Sequence, residues 1–469
     1  MLERVNRRQL IRGIGAAGIA GLAGCTGDGN GDGGGDGEDG GGDGEDGGGD
    51  GSDGSDGSDD SDGGSTPTAT MTEAMTESMG RDIRVGILMG VTGDLAELGP
   101  PIRNAAELAA DTIDQESDAF SVDYQFEDTA TTPSTGISGA ESLINAGYPA
   151  IAGALSSSVT LQVARQQAVP NGTVLCSPAS TSPEITGLDD NDYLYRTTPT
   201  DALQGQVMVD IGMDRLDASE TSIIALNNDY GQGLAEAYAN AWEDGGGTVQ
   251  ARVSYEKGQS SYTSQVTEAL ADEPDLLMIV GYPGNGQQIF RDFYAEYSQD
   301  FCDIIVPDGL QSKALPGDVG NSMRNVWGTA PSSVGPSRDT FDSLYQDEYD
   351  SDPADSPFTA QSFDAVAVLA LANAAAGKND GEAIRDEMRN VANEGGEEVT
   401  PDNLAEGIEM AASGTEINYQ GAAGVIEFDD NGDIGSATYQ LFRYQEGGFE
   451  NSGEALLGDE EVRRQFLGG

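Results

Sequence analysis

Apolar and polar positions alternate in blocks along most of this chain. Over residues 82–90, "DIRVGILMG" is a nearly unbroken apolar run, and "PPIRNAAELAADTIDQ" then begins on proline and repeats its apolar residues at helical spacing. The runs "VDYQFED", "PAIAGAL", "GTVLCSP", "TSIIALNND" and "DLLMIVGY" predict further strands. "VTLQVARQQAV", "LQGQVMVDIGMDRL", "GLAEAYANAWED" and "GQQIFRDFYAEYSQ" predict the helices that go with them. Strands apolar on both faces belong to parallel sheets covered by helices. They are too many for one small sheet. The expected fold is α/β, with two doubly wound parallel-sheet lobes whose ligands bind beyond the carboxyl ends of the strands.

The first 80 residues follow another pattern. "NRRQLIRGIGAAGIAGLAGC" carries Arg7-Arg8 ahead of a short, weakly apolar segment, as a twin-arginine export signal does. That segment is too short for a hydrocarbon layer of ~30 Å. Leu22-Ala23-Gly24-Cys25 matches a lipobox, so residues 1–25 read as a lipoprotein signal with the lipid on Cys25. Residues 26–80 are a Gly/Asp/Ser/Thr-rich linker, predicted to be disordered because almost no apolar side chain offsets the ordering entropy. Its "GGDGEDG" repetition lacks the apolar position that lets calcium-binding repeats stack, leaving diffuse cation association. The expected location is the outer face of the cell membrane. The Ser/Thr cluster after Ser65 and the sequon Asn171-Gly172-Thr173 are candidate glycan sites.

Charge narrows the function. The chain has 22 Lys+Arg against 82 Asp+Glu and a formal charge of −60, and residues 81–469 alone hold 65 acids against 18 bases. Nucleic acid is excluded as a partner, because phosphate recognition needs clustered cations. Such an acidic body repels itself in dilute buffer but not at molar salt, where screening reaches only ~3 Å. The reading is a halophilic protein. Histidine is absent, which removes Ser-His-Asp and Cys-His catalysis and histidine metal sites. No P-loop occurs, and "GYPGNG" (281–286) has the wrong spacing for a dinucleotide fingerprint and predicts a loop. "DDNGDIG" (429–435) resembles a calcium loop, but Ile434 takes the glycine position and Gln440 the acidic twelfth one, so a hairpin turn is expected. Cys176 and Cys302 read as small buried hydrophobes rather than a bridge. No cofactor or metal is expected.

Candidate chemistry gathers at strand ends. "ALSSS", "SPASTSPE", "NNDYGQG", "GYPGNG" and "VPDG" each follow an apolar strand. Hydroxyls and free N–H groups at a helix N-terminus hold a carboxylate without a positive side chain, and Asp308 could meet an ammonium. Tyr230, Tyr282 and Phe358 could wall the space between them. Each loop alone is ordinary capping chemistry. Several together, with no catalytic base, favour binding. A hydrolase built on Ser157 would need a Lys or acidic base, and none of the three lysines lies in an S-x-x-K motif.

With "GILMGVTGDLAELGPPIRNAAELA", "IAGALSSSVT", "VLCSPASTSPEIT", "YLYRTTPTDALQG", "IIALNNDYGQGLAEA", "VGYPGNGQQIFRDF" and "VPDG" in this order, the chain resembles the type I periplasmic-binding proteins of branched-chain amino acid ABC transporters, in haloarchaeal lipoprotein form. The resemblance implies two discontinuous lobes joined by a hinge, 81–199 plus 332–434 and 200–331 plus 435–469. It implies that Ser157 binds the ligand carboxylate and that Thr181 touches both carboxylate and ammonium. The Ala179 carbonyl would accept from the ammonium, Asp308 would balance its charge, and Tyr230, Tyr282 and Phe358 would close over the ligand. ABC permease and ATPase subunits are the implied partners, with no enzymatic turnover. Two positions depart from the family: its usual aromatic falls at Leu98, and Asp308 is one methylene shorter than the common Glu. Relatives of this architecture also bind amides, urea or aromatic acids, and a module sensing ligand for a chemoreceptor is the alternative role.

Overall fold

The computed structural model describes residues 80–456, apart from residue 436. The export signal, Cys25, residues 26–79 of the linker and residues 457–469 lie outside the described residues. The described chain builds two large sheets in succession. Strands β1 (Asp82–Met89), β2 (Ser121–Asp128), β3 (Ala150–Gly153), β4 (Val174–Ser177) and β5 (Leu194–Arg196) form the first, in the order 2-1-3-4-5, all parallel. Its helices are α1 (Gly99–Glu116), α2 (Pro133–Asn145) and α3 (Ser157–Val163), which runs on through a π-helical turn at Ala164–Ala168 to Asn171. The apolar run of β1 is continuous because both faces are covered. Ile83, Val85, Ile87 and Met89 share one apolar cluster with Ile102, Ala105 and Ala109 of α1, while Leu88 joins Ala140 and Leu143 of α2 on the other face.

After β5 the chain crosses to the second sheet through α4 (Asp201–Asp210), β6 (Glu220–Leu226), α5 (Asp229–Asp244), β7 (Thr248–Tyr255) and α6 (Thr263–Ala269). There follow β8 (Leu276–Val280), α7 (Pro283–Glu296), β9 (Asp303–Val306), α8 (Leu315–Val319) and β10 (Val326–Pro331). Strands 7-6-8-9-10 are parallel. The loop expected over 281–286 is instead the start of α7: Tyr282 caps it and Pro283, its φ already helical, opens it. The chain then returns to the first sheet with α9 (Arg338–Tyr349), α10 (Thr359–Ala376), α11 (Gly381–Ala392), a small β11 (Glu397–Val399), α12 (Leu404–Ala412) and β12 (Ile417–Tyr419). Every residue of α10 from Thr359 to Ala374 is buried, and the helix packs on α1 and β1. A helix apolar all round must be enclosed.

A third crossing leads to β13 (Thr438–Gln445) and β14 (Gly448–Leu456), an antiparallel hairpin on the β10 edge. This pair makes the second sheet mixed, in the order 14-13-10-9-8-6-7. The crossings lie side by side, since Ser332 N donates to Thr438 O at 2.7 Å and Arg196 reaches Asp433. The segment 429–435 turns through Gly432 at φ +74°, with Phe428 and Ile434 bridged, as the hairpin reading expects. Its Asp433 is committed to Arg196 rather than to a loop of ligands. Cys176 and Cys302 are both free and buried. Burial pushes the Cys302 thiol up to about 12 and the Cys176 thiol higher still, so both stay protonated.

Candidate functional site

Each strand-end loop singled out from the sequence lies at the carboxyl end of its strand. Ser157 opens α3 after β3, with Ser156 as its cap. Val159 N turns back to Ser156 O, and the first-turn amides of Ser157 and Ser158 are the donors a helix cannot satisfy internally. The next loop is fixed by its own hydroxyls: Ser177 Oγ donates to Ala154 O at 2.6 Å, and Thr160 and Ser180 share a hydrogen bond of 2.7 Å. That holds Ala179 and Thr181 beside α3, and Ser182 N donates to Ser157 Oγ at 3.3 Å. The Ser157 hydroxyl therefore keeps its own proton to donate.

The facing wall comes from the second sheet. Tyr230 sits in the first turn of α5 and Tyr282 caps α7, their rings stacked at 5.6 Å and 14°. Asp308 and Gly309 lie in a tight turn directly after β9. Ser157, Ala179, Tyr230, Tyr282, Asp308 and Phe358 line one small cavity, together with Leu95, Leu98, Ile102, Leu155 and Gly309. Thr181 is not on its lining. It lies behind, 1% exposed, with its hydroxyl beside the Asp201 carboxyl. Phe358 caps α10 at φ +65°, a left-handed conformation that a bulky side chain adopts only when its surroundings hold it there.

The cavity is chemically asymmetric. Its first-sheet side offers hydroxyl and amide donors at Ser157, its middle is aliphatic, and its second-sheet side holds a carboxylate. Asp308 is 3% exposed and its Oδ1 has no hydrogen-bond partner. Burial pushes its carboxyl up to about 7, with the Gln204 side chain pulling the other way. Burial and the neighbouring Asp308 charge likewise hold the Tyr230 phenol neutral.

Contacts also close the seam around the cavity. Asp229 N donates to Ser158 Oγ at 3.1 Å, and Lys257 pairs with Asp94 at 2.6 Å. Lys313 pairs with Asp355, and Ser312 donates to Glu97. Ser158 thus reaches the start of α5, beside the second sheet. Gly309 is needed for close approach: a Cβ there would lie 2.5 Å from Gly281 O and 2.8 Å from the Tyr230 hydroxyl. Gly309→Ala should displace Tyr230 and cost about 1–3 kcal/mol of stability. Gly284→Ala, with nothing within 4 Å, should leave it unchanged in the same thermal melt.

Sequence reasoning missed Leu95, Ile102 and Leu155, whose apolar spacing reads as core. It also missed the ion pair of Arg196 with Asp433, which joins positions 237 apart.

Two helix-covered α/β sheets, their strand ends meeting around one small asymmetric cavity, define a solute-binding protein. Residues 82–404 match the family model for periplasmic binding proteins, and the chain belongs to that family, whose members bind without converting what they bind. It is 23% identical over 370 residues to Leu/Ile/Val-binding protein homolog 3 of Brucella melitensis, covering 78% of this chain and 92% of that one. It is 26% identical over 359 residues to the chemotactic signal transduction system substrate-binding protein BasB of Halobacterium salinarum, covering 74% and 84%. Among solved structures, a leucine binding protein of Thermotoga maritima superposes with a TM-score of 0.66 at 22% identity, over 79% of this chain and 98% of that one. That likeness supports the α/β fold of two sheets.

Proposed function

We propose that this protein is the extracellular, lipid-anchored substrate-binding protein of an ABC transporter, and that its ligand is a branched-chain amino acid or a related small amino acid. The observation that carries this is the asymmetric cavity: donors at Ser157, an aliphatic wall of Leu95, Leu98, Ile102 and Leu155, and the buried carboxylate of Asp308 opposite. Ser157 takes the ligand carboxylate on its amide and hydroxyl. Thr181 and the Ala179 carbonyl take part of the ammonium, Asp308 balances its charge, and Tyr230, Tyr282 and Phe358 cover it. Leu98 replaces a large ring by a branched aliphatic contact, which leaves room for a branched side chain. The likeness to the Leu/Ile/Val-binding protein homolog of Brucella and the leucine binding protein of Thermotoga supports the ligand class.

The lobes in this reading are 81–199 with 332–434 and 200–331 with 435–469, closing about the three crossings. Export through the twin-arginine route and a lipid on Cys25 hold the protein at the outer face of the membrane, where permease and ATPase subunits receive the solute. The acidic body fits a cell that keeps molar salt. A second reading is a sensory module, favoured by the name of the Halobacterium relative. A deletion strain separates the two: transport predicts lost uptake of labelled leucine, and sensing predicts lost attraction to it.

The direct test is thermal unfolding in molar salt with L-leucine, L-isoleucine, L-valine and glucose. The amino acids should raise the transition in proportion to the logarithm of concentration, and glucose should not. Ser157→Ala should weaken L-leucine binding roughly tenfold, the worth of one hydrogen bond to a charged group. Stabilisation by glucose alone would sink the proposal.

A further inference from the structure

Away from the ligand cavity, a groove opens where the three crossings run side by side. Pro199 of the first, Pro331 and Val334 of the second, and Ile434 and Ala437 of the third line it, with Val425 beside them. These walls are mainly apolar, on a body that is strongly acidic. Val334 is 48% exposed and Val425 51%, and they are the two large apolar side chains left exposed among the described residues. Val334 N donates to Ala423 O at 2.9 Å, so the two valines stand on neighbouring segments of the groove. One exposed valine needs no explanation, but two on one apolar groove mark a surface that something covers.

The described chain ends beside this groove. Leu456, at the end of β14, is the antiparallel partner of Thr438, which lines it. Such partners lie about 5 Å apart. The thirteen residues that follow, "LGDEEVRRQFLGG" (457–469), reach about 40 Å when extended, so every part of the groove is within range. Their sequence suits it. Val462 and Phe466 are four positions apart, the spacing that puts two apolar side chains on one face of a helix. Asp459 and Glu460 precede Arg463 and Arg464 by four, the favourable order for helical ion pairs. The arginines also complement the rim. Glu427 follows Ile426 of the groove, is exposed, and has no cationic partner among the described residues.

We propose that the C-terminal segment 457–469 of this chain docks in the groove, laying Val462 and Phe466 on Val334 and Val425 and turning its arginines toward Glu427. The groove exists only while the three crossings keep this arrangement. A segment of the same chain that fills it therefore favours the arrangement seen here over any that parts the crossings. The tail is a wedge built into the hinge. This goes beyond the ligand reading and does not depend on which solute fills the cleft.

The test is amide hydrogen exchange read by mass spectrometry, on the full chain in molar salt without ligand. The double variant Val334→Thr, Val425→Thr keeps the branched shapes and makes the groove polar. Residues 462–467 should exchange roughly tenfold faster in it than in the wild type, as one lost apolar contact of about 1.4 kcal/mol requires. The effect should be reciprocal. Phe466→Ala should speed exchange at Val334 and Gly335, whose amides bind Ala423 and Ala422 beside the groove, by a similar factor. Both substitutions fall on exposed groove positions or on the tail, so the fold tolerates them. Equal rates in wild type and variants overturn the proposal, whether the tail exchanges fast or slowly. Protection of the tail that grows with protein concentration gives the groove to a second copy and overturns it as well.

Discussion

Asp308→Asn is expected to weaken L-leucine binding roughly a hundredfold, because removing one member of a buried, hydrogen-bonded charge pair costs about 2–5 kcal/mol. The same substitution should stabilise the ligand-free protein at alkaline pH. Asp308 titrates near 7 in the folded chain, against an ordinary value of about 3.9 in the unfolded one. The folded state thus holds the extra proton between these values, and stability is lost as the pH climbs through them. Above pH 7 the whole penalty is present, and an uncharged Asn of equal shape removes it. Loss of affinity together with gain of stability is the signature of a functional group kept at the expense of the fold. Unchanged leucine affinity in Asp308→Asn would place the ammonium elsewhere.

The second large effect concerns folding. Asp433→Asn should destabilise the protein by about 3–5 kcal/mol, the cost of leaving a buried charge without its partner. Arg196 is 0% exposed and binds Asp433 through two contacts of 2.6 Å. The pair fastens the first crossing to the third, where strand β5 leaves one sheet and the chain approaches β13 of the other. Thermal melts in molar salt should show a drop of roughly 10 °C for Asp433→Asn. The double variant Arg196→Met, Asp433→Leu should recover most of it, since an apolar pair of similar volume leaves no charge stranded. A double variant as unstable as the single one would mean that the hydrogen bonds of Arg196 to Ser180 and Ser182, rather than the charge, hold the crossing.

These two positions also mark where the sequence was legible. The parallel strands could be read because burial on both faces leaves runs such as "DIRVGILM" with hardly a polar interruption. The strand-end loops could be read because small polar and turn-forming residues recur at the carboxyl ends, and Ser157, Tyr230, Tyr282 and Asp308 do line one cavity. The hairpin of β13 and β14 was not visible. Its place is set by pairing with β10, more than a hundred residues earlier, and not by local periodicity. The aliphatic wall was invisible because Leu95, Ile102 and Leu155 have the spacing of core residues, and a ligand-facing leucine differs from a core leucine only in what fills the space beside it.

The seam offers a chemical handle on motion. Of the three lysines in the chain, Lys257 and Lys313 each pair with an acid on the other side of the cavity, to Asp94 and Asp355. Lys378 pairs only with its near neighbour Asp380, far from that seam in the sequence and 63% exposed. An amine-specific acylating reagent therefore has two reporters whose reactivity follows the separation of the lobes and one built-in standard. The ratio of their labelling times the opening of the cleft without any engineered probe.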